Sequence, residues 1–565
     1  MAYSDGSPSP SPPRGPWVDP STDPWADPGF DNELRRWRII PERLRYWAQA
    51  TPDAPFLRCA SDWLSYREVD ERSDRVAAGL AAYGLTKGHR VATVLPNRLE
   101  TLLTFFGCAK LGLIQVPVHA FLRGRFLSYQ LADARAGVVI ADEPGVRAVR
   151  SITADLPDLR TVFQVGGNPS GDELPFTELA DAHGSVPDVE LSMTDVNAIL
   201  YTSGTTGLPK GCLASHGYYL NVPRAYYACG LARPGDTFFT SWPLFHTSGQ
   251  MIALMIALQG GRPIHFEPEF HASTFLAEAA GALAGDSSGV MIFGVGAMGM
   301  AILATSRREG EREHRIRGAS LVPMPVTAQE EFQDRFGIPV YSEIYGQTEC
   351  NPITANPWRD DLRRRGSMGR AVPGLAVAVH DDDGRPVPTG TVGEVVVRPL
   401  EPEVMFQGYW GKPEATVEVS RGLWHHTGDN AVADADGYLT FADRKKDSMR
   451  RRGENVSSIE LERAILEHGS VAGVVVHAVP SPLGEDDIKA CVIPVEGTMI
   501  DPAEMFDFFK TTLPYFAMPR YLELVEEFPV NAMGRVLKHE LRARGVGDAV
   551  DFEAMGLTVA RSERR

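Results

Sequence analysis

The sequence lacks the cysteine spacing of a metal site or of a disulfide framework. Its six cysteines are scattered over 565 residues, and they form no Cys-x-x-Cys pair. Structural zinc sites and small disulfide-stapled domains both need closely spaced cysteines. Nothing in the sequence indicates either class, and scattered cysteines are typical of a reducing compartment. We therefore expect a cytoplasmic protein.

Positively charged residues are also fewer than negatively charged ones. Lys and Arg number 56 against 73 Asp and Glu, which gives a formal net charge of -17. A protein that binds a nucleic-acid backbone or an anionic membrane needs a dominant cationic face. We expect no nucleic acid and no membrane among the partners, so any anionic ligand must be held by a local site.

Long hydrophobic runs are missing as well. The longest candidate, residues 102–121, contains Lys110, Gln115 and Pro117, and it divides naturally into a helix followed by a strand. The N-terminus has no basic segment followed by an apolar one, as a secretory signal would require. It has eight prolines before Asn32 instead, which predicts a disordered or surface-draped tail over residues 1–32.

What the sequence does contain is an alternation of strand and helix patterns, clearest over residues 63–142, which predicts crossover units on a mostly parallel sheet. After about residue 366, short strands separated by Gly, Pro and Asp turns indicate a small antiparallel β unit. The predicted fold class is α/β, with a large N-terminal body of crossover units plus the small β unit, and a small mobile α+β C-terminal domain. The predicted boundaries are a tail at 1–32, a body at 33–442, a small domain at 443–546 and a loosely attached tail at 547–565.

The strongest local signal is the segment 201–211, which follows an apolar run. Its three glycines, four hydroxyl residues and one lysine can surround phosphate oxygens with backbone N–H groups, hydroxyls and an ammonium. It is not a Walker loop, because the lysine does not follow the second glycine directly. A plain linker between two elements is the alternative. The candidate phosphate-binding residues are Thr202, Ser203, Gly204, Thr205, Thr206, Gly207 and Lys210.

This segment resembles the phosphate loop of the AMP-forming adenylating enzymes, which include acyl-CoA synthetases, peptide-synthetase adenylation domains and luciferases. Further stretches match in order and at similar separations; they are residues 345–349, 427–429, 443–453 and 531–535. The resemblance covers roughly residues 35–545. Within the family, residues 450–458 look most like the carnitine/crotonobetaine-CoA ligase branch.

The resemblance implies that the body at 33–442 binds ATP, Mg²⁺ and an acid, and that the domain at 443–546 is a mobile lid. Glu349 is implied as the Mg²⁺ carboxylate, Thr348 as a donor to the α-phosphate and Tyr345 as the residue that stacks on adenine. Gly346 and Gln347 belong to the same motif. Without the resemblance, a lone glutamate is more often solvated surface.

Four further roles are implied by the second half of the resemblance. Asp429 and Arg444 are expected at the ribose hydroxyls, although a turn aspartate is the plainer alternative for Asp429. Lys446 stands at the family's hinge position. The loop at Gly453 is expected to shape the channel of the second substrate. Arg450, Arg451 and Arg452 are candidates for contacting CoA phosphates; a solvated basic stretch beside a hinge is the alternative.

His246 lies in the segment 243–246, which is similar to the family segment that places a histidine beside the substrate carboxylate. It is implied to gate the approach of the second substrate; a satisfied core histidine is the alternative. Candidate wall residues, chosen by position only, are Tyr226, Tyr227, Gly294, Gly296 and Cys350.

The sequence departs from the family pattern in two places. Arg535 stands where the family has its adenylation lysine; it keeps the charge but presents a planar fork. Lys538 is the alternative, but three residues along an extended segment reverse the side-chain direction, so we predict that Arg535 carries the role. Residues 321–323 read Leu-Val-Pro in place of a Gly-Ala-Pro turn, which predicts an altered adenine contact.

These observations predict an AMP-forming acid–thiol ligase that activates a carboxylic acid with ATP and uses CoA as the acceptor. Nitrite is a small planar anion much like a carboxylate, so activation of nitrite and its transfer to an aromatic amine is one alternative. A nucleotide-binding protein that has lost catalysis is another, motivated by Arg535 and the missing glycine.

Overall fold

The structure is a computed structural model of the chain. It describes residues 33–60, 62–202, 208–359, 362–444, 448–452, 454–481, 484–529, 536 and 538–560. The predicted N-terminal tail at 1–32 lies outside the described residues. Within them, no helix is both long and apolar enough to cross a membrane.

The first half of the body alternates strands and helices. In chain order its elements are α1 (Ile40–Ala50), β1 (Pro55–Cys59), β2 (Leu64–Ser65), α2 (Tyr66–Ala82), β3 (Arg90–Val94), α3 (Leu99–Leu111), β4 (Ile114–Pro117), α4 (Gly124–Asp133), β5 (Val138–Asp142), α5 (Glu143–Arg150), β6 (Thr161–Val165), β7 (Leu174–Pro175), α6 (Thr177–Ala180), β8 (Val196–Thr202) and β9 (Lys210–Ser215). The apolar run at 102–121 divides as predicted into α3 and β4, because Gly112 takes a left-handed conformation between them.

The second half of the body repeats this alternation. Its elements are α7 (His216–Ala228), β10 (Asp236–Thr240), a π-helix (Ser248–Leu254), α8 (Met255–Gly260), β11 (Ile264–Phe266), α9 (Phe275–Ala280), β12 (Gly289–Val295), α10 (Gly296–Leu303), β13 (Ile316–Val322), α11 (Val326–Phe336) and β14 (Val340–Tyr341).

Two large sheets organise these elements in the described part of the body. Each has seven strands, in the orders β7-β6-β5-β3-β4-β8-β9 and β14-β13-β12-β10-β11-β1-β2. Most neighbouring strands are parallel, and antiparallel pairs occur at the edges, between β8 and β9 and between β1 and β2. Helices cover the sheets, and α3 is buried along most of its length. The predicted crossover architecture is confirmed.

Antiparallel strands follow. They are β15 (Ile344–Gln347), β16 (Cys350–Ala355), β17 (Arg370–Ala371), β18 (Leu375–His380), β19 (Val392–Pro399), β20 (His425–Ala433) and β21 (Leu439–Arg444), with α12 (Pro413–Val419) before β20. The small β unit is thus present. The segment 427–429 lies within β20, and β21 continues to Arg444, two residues past the predicted body boundary.

The C-terminal domain, residues 448–560 as described, has its own sheet. Its elements are β22 (Ser448–Arg451), β23 (Glu454–Ser457), α13 (Ser458–Ile465), β24 (Val471–Pro480), β25 (Asp486–Pro494), α14 (Pro502–Thr512), β26 (Tyr521–Leu524), α15 (Lys538–Ala543) and β27 (Val550–Asp551). Strands β22 and β23 pair as a hairpin, and β24 to β27 form a four-stranded sheet. The α/β fold class with a separate C-terminal domain is confirmed.

The prediction of a loosely attached tail from residue 547 is wrong for its first part. Strand β27 pairs with β26, and the next residue, Phe552, is 1% exposed among apolar side chains of the C-terminal domain. Burial of a phenylalanine ring stabilises its attachment by roughly 2 kcal/mol, which the sequence pattern did not reveal. This segment is therefore an integral part of the domain.

Candidate active site

A large cavity lies where the two body sheets, the small β unit and the C-terminal domain meet. Its volume is about 1580 Å³. The predicted site residues that line it are Thr202, Lys210, Tyr226, His246, Tyr345, Gly346, Gln347, Thr348, Glu349, Asp429 and Arg452. The predicted residues Ser203, Gly204, Thr205, Thr206, Gly207, Lys446, Gly453 and Arg535 lie outside the described residues.

Both flanks of the predicted phosphate loop are held by α4. The Tyr201 hydroxyl donates to Oδ2 of Asp133 at 2.7 Å, and the Tyr129 hydroxyl donates to the carbonyl of Pro209 at 3.0 Å. Asp133 also forms an ion pair with Lys412. The ends of the segment are thus fixed to one helix, and Lys210 begins β9 directly after them.

Glu349 is positioned by a tight hairpin. Gln347 of β15 pairs with Cys350 of β16, so Thr348 and Glu349 form the two-residue turn between the strands. The Tyr218 hydroxyl donates to the carbonyl of Thr348 at 3.1 Å, which anchors the turn to α7. A short anchored turn leaves both side chains at the cavity with little freedom.

Tyr409 links Glu349 to Lys210. Its hydroxyl donates to Oε1 of Glu349 at 2.7 Å, and the Lys210 ammonium lies 5.0 Å from the centre of its ring. Burial, followed by the charge of Glu349, raises the pKa of Tyr409 above its ordinary value, so its hydroxyl stays protonated and donates. Sequence reasoning missed this residue because a tyrosine after Gly408 carries no signal of its own.

A second network orients Asp429. The Tyr345 hydroxyl and the Gln347 amide both donate to its Oδ2, at 2.6 and 2.8 Å, and Gln347 also donates to the carbonyl of Thr427. Asp429 is 5% exposed. Arg444 is its direct neighbour on β21, since the two residues are paired across the strands.

His246 lies at another end of the cavity, between β10 and the π-helix. Its Nδ1 accepts a hydrogen bond from the backbone N–H of Ser248 at 3.2 Å, and the Ser248 hydroxyl lies 2.8 Å from the same nitrogen. Burial lowers the pKa of His246, so the neutral ring is favoured. Because Nδ1 accepts from a backbone donor, the neutral ring carries its proton on Nε2.

The β22–β23 hairpin closes the cavity from the C-terminal domain. Arg450, Arg452 and Glu454 line the cavity, and the backbone N–H of Arg450 donates to Asp486 at 2.7 Å. Arg451 points away from the cavity: it is 6% exposed, and burial lowers its pKa to about 10. The expectation that all three arginines contact CoA phosphates is therefore wrong for Arg451, whose guanidinium is taken up inside the domain.

The comparison with known families decides the identity of this cavity. The AMP-binding enzyme family matches residues 44–410, and the AMP-binding enzyme C-terminal domain matches residues 460–535. The chain belongs to the AMP-binding enzyme family. This AMP-binding enzyme is an AMP-forming ligase of the acyl-CoA synthetase type, and the function predicted from its motifs is confirmed at that level.

Its relatives cover most of the chain. Feruloyl-CoA synthase of Amycolatopsis sp is 32% identical over 505 residues, which are 88% of this chain and 97% of the relative. Crotonobetaine/carnitine–CoA ligase of Salmonella agona is 29% identical over 486 residues, 85% and 93% of the two chains. A solved variant of o-succinylbenzoate CoA synthetase from Bacillus subtilis shares the fold, with a TM-score of 0.77, 24% identity and coverage of 89% and 99%. These names give no support to the alternative of nitrite and an aryl amine.

In the Leu-Val-Pro segment of this AMP-binding enzyme, the side chain of Leu321 packs away from the cavity. Leu321 is 1% exposed, and its side chain fills a notch: a Cβ added at Gly294 or Gly299 would lie 2.9 or 2.8 Å from it. Val322 and Pro323 line the cavity instead. Residues 322 and 323 of this segment therefore still lie at the cavity, although a leucine replaces the glycine before them.

Most of the wall residues predicted by position are packing residues. Gly294, Gly296, Tyr227 and Cys350 are not among the residues that line the cavity, whereas Tyr226 is. A Cβ at Gly296 would lie 1.5 Å from the carbonyl oxygen of Pro323, so this glycine permits a close backbone approach. Cys350 is fully buried, and burial raises its pKa. The prediction that Cys350 forms part of the cavity wall is therefore wrong.

Lys538 is engaged within the C-terminal domain. Its ammonium donates to the Ser458 hydroxyl at 2.9 Å and to Oε1 of Glu462 at 2.7 Å. It is not among the residues that line the cavity. The role of Arg535 stays a prediction.

Proposed function

We propose that the residues of this cavity carry out two successive reactions. In the first, a carboxylate oxygen of the acid attacks the α-phosphorus of ATP, the bond from that phosphorus to the bridging oxygen breaks, and pyrophosphate leaves. In the second, the CoA thiolate attacks the carbonyl carbon of the acyl-adenylate, the carbon–oxygen bond to AMP breaks, and AMP leaves with that electron pair.

The observation that carries this proposal is the convergence of two polar networks in one cavity. The Tyr409–Glu349 pair with Lys210 suits a triphosphate, and the Asp429 network suits a ribose with its hydroxyl donors. Because the whole chain carries a charge of -17, the phosphates of ATP depend on such local groups.

Mg²⁺ fits the carboxylate of Glu349. Among the described residues no cluster of three or more His, Cys, Asp and Glu side chains forms a dedicated cage. Mg²⁺ is commonly held by one or two carboxylates together with substrate phosphates and water, which a single glutamate beside a phosphate site satisfies. When bound there, the ion supplies neutralisation of phosphate charge. Glu349 would hold it, and Tyr409 orients that carboxylate.

The acid is proposed to have an apolar body of aromatic size. The cavity residues near the His246 segment include Tyr226, Trp242, Ile252 and Met298, and Trp242 stacks on Phe293 at 5.4 Å. Such walls favour apolar and aromatic groups. The relative named feruloyl-CoA synthase supports the same substrate class.

Arg535 is proposed to bridge the carboxylate and the α-phosphate during the first reaction, and Lys446 is proposed as the hinge that lets the C-terminal domain present different faces to the cavity in turn. The support is the family motif at 531–535 and the β22–β23 hairpin, which occupies the cavity in the described arrangement.

The test is release of pyrophosphate and AMP from ATP over a panel of acids that includes ferulate, benzoate, carnitine and hexanoate. Each acid is assayed with and without CoA, and nitrite with an aryl amine forms a separate arm. We expect pyrophosphate exchange that requires an aromatic acid, and thioester only with CoA. Glu349→Gln should abolish both, whereas Glu418→Gln, at an exposed carboxylate of the same cavity, should not. Turnover only with nitrite would contradict the proposal. Absence of pyrophosphate and AMP release in every arm would also contradict it, in favour of a catalytically impaired protein.

A further inference from the structure

His119 joins the body to the C-terminal domain at the edge of the cavity. It lies two residues after the end of β4, and its ring centre lies 4.1 Å from that of Phe245 in the body and 4.5 Å from that of Phe516 in the C-terminal domain. The planes of His119 and Phe516 are inclined by 30°, an offset-stacked arrangement. The imidazole is thus enclosed by one aromatic ring from each domain.

The same imidazole contacts the hairpin. Its Nε2 lies 3.5 Å from Oε1 of Glu454, the first residue of β23, and the side chains are 11% and 19% exposed. Burial alone would raise the pKa of Glu454, but His119, His246 and Arg450 around it hold that pKa below its usual value. The hairpin therefore presents a carboxylate that stays ionised among cationic and imidazole groups.

Contacts on either side reinforce this junction. The ring of Phe121 meets that of Tyr515 edge-on at 5.2 Å, and the Arg452 guanidinium lies 5.4 Å from the Tyr515 ring. Phe516 belongs to a buried apolar cluster that also contains body residues of β4 and its neighbours. His119 also lines the cavity, and it contacts both domains and the hairpin.

We propose that His119 is a positioning residue for thioester formation, because its stacking and its contact with Glu454 hold the β22–β23 hairpin against the cavity. This inference rests on the proposed two-step reaction. The hairpin lies beside His246 and brings Arg450 and Arg452, which suit the phosphates of CoA, to that end of the cavity.

The residues proposed to hold the nucleotide lie outside this junction. Glu349 is held by Tyr409, and Asp429 by Tyr345 and Gln347, and all of these residues belong to the body. Loss of the His119 contacts therefore leaves the nucleotide groups in place. It removes the stacking between Phe245 and Phe516 and the contact with Glu454, which together fix the hairpin on which the second reaction depends.

The experiment separates the two reactions in the full-length enzyme. His119→Ala removes the stacking and the contact with Glu454. His119→Phe keeps an aromatic ring between Phe245 and Phe516, and Arg125→Ala breaks an exposed ion pair with Glu467 between the domains. Three quantities are measured: ATP–pyrophosphate exchange with acid alone, single-turnover transfer from enzyme-bound adenylate to CoA, and hydrogen exchange of residues 448–457.

We expect His119→Ala to slow transfer by about tenfold, the scale of one strong aromatic pair, with pyrophosphate exchange within about twofold of the wild type. Hydrogen exchange of the hairpin should be faster. His119→Phe should lie between His119→Ala and the wild type, and Arg125→Ala should match the wild type in transfer, because exposed ion pairs contribute little.

Equal loss of both reactions in His119→Ala and His119→Phe would overturn the inference in favour of a general structural role. Unchanged transfer with unchanged hairpin exchange would overturn it too. A wild type that exchanges pyrophosphate but forms no thioester would overturn the proposed CoA step, and with it this role of His119. A competent wild type beside an unaffected His119→Ala would overturn the role of His119 alone.

Discussion

The Tyr409 hydroxyl donates a 2.7 Å hydrogen bond to Oε1 of Glu349, and the Tyr409 ring lies under the Lys210 ammonium. One aromatic residue thus orients both the proposed Mg²⁺ carboxylate and a phosphate-binding cation. Without this hydrogen bond the Glu349 carboxylate is free to rotate. The proposed Mg²⁺ binding by Glu349 should therefore depend on Tyr409, a residue that does not contact the acid.

We therefore predict that Tyr409→Phe lowers kcat/KM for adenylation by about 10- to 100-fold, since hydrogen bonds to charged groups contribute roughly 1.5–3 kcal/mol. The Mg²⁺ concentration needed for half-maximal activity should rise. Initial rates of pyrophosphate release over a Mg²⁺ titration measure both. Tyr438→Phe, which removes a hydroxyl bonded to the distant carbonyl of Leu362, is the matched control. An unchanged Mg²⁺ dependence would contradict the prediction.

Asp429→Asn should raise the KM for ATP more than it lowers kcat. Tyr345 and Gln347 both donate to Oδ2 of Asp429, and an amide offers them a weaker acceptor without charge. We expect an increase of about tenfold in KM, on the scale of one charge-assisted hydrogen bond. Steady-state kinetics at saturating acid test this, with Asp383→Asn in an exposed turn as control. A change confined to kcat would disprove a ribose-binding role.

Arg535→Ala should abolish acid activation while leaving transfer from a preformed adenylate intact. Lys538→Ala should keep both reactions and lower the melting temperature instead, because the Lys538 ammonium binds Glu462 and Ser458 inside the C-terminal domain. Half-reaction assays and thermal unfolding distinguish the two variants. Intact adenylation in Arg535→Ala, with loss in Lys538→Ala, would show that the assignment is wrong.

Glu460 on α13 should make stability depend on pH. Burial raises the pKa of its carboxyl from 4.5 to about 7. A raised carboxyl pKa stabilises the folded state fully below the unfolded value, and this contribution is lost as pH rises through about 7. Glu460→Gln should therefore be more stable than the wild type at pH 8, by up to about 3 kcal/mol, and similar to it at pH 5.

Chemical unfolding at pH 5, 6, 7 and 8 measures this difference. Glu467→Gln, at an exposed carboxylate near the end of the same helix, serves as the control and should follow the wild type. A Glu460→Gln variant whose stability runs parallel to that of the wild type at all four pH values would refute the prediction.

Much of the fold could be predicted from periodicity. Alternating strand and helix patterns in residues 63–142 correspond to the parallel strands β3, β4 and β5 with their helices. The prediction of a loosely attached tail from residue 547 is wrong because the attachment depends on Phe552. This single aromatic residue packs against elements far away in the chain. Local composition does not report such tertiary burial.

Some residues of the candidate site could likewise be predicted from the sequence, whereas others depend on tertiary contacts. Glu349, Asp429 and His246 could be found because each lies in a short motif that resembles a family segment, and all three line one cavity. Tyr409 and His119 could not be found, because their roles arise from distances across elements. Arg451 was misassigned because three consecutive arginines look alike in sequence, whereas the pleat of β22 turns alternate side chains to opposite faces.

The notch that Gly294 and Gly299 form around Leu321 makes three positions depend on one another when the sequence changes. A methyl group at either glycine would lie under 3 Å from the leucine side chain, so the leucine must shift or become smaller when either glycine is replaced. A glycine at 321 would in turn leave a void that costs stability until a neighbour fills it. Substitutions here are therefore expected to be epistatic: the effect of a larger residue at 294 or 299 depends on which residue stands at 321.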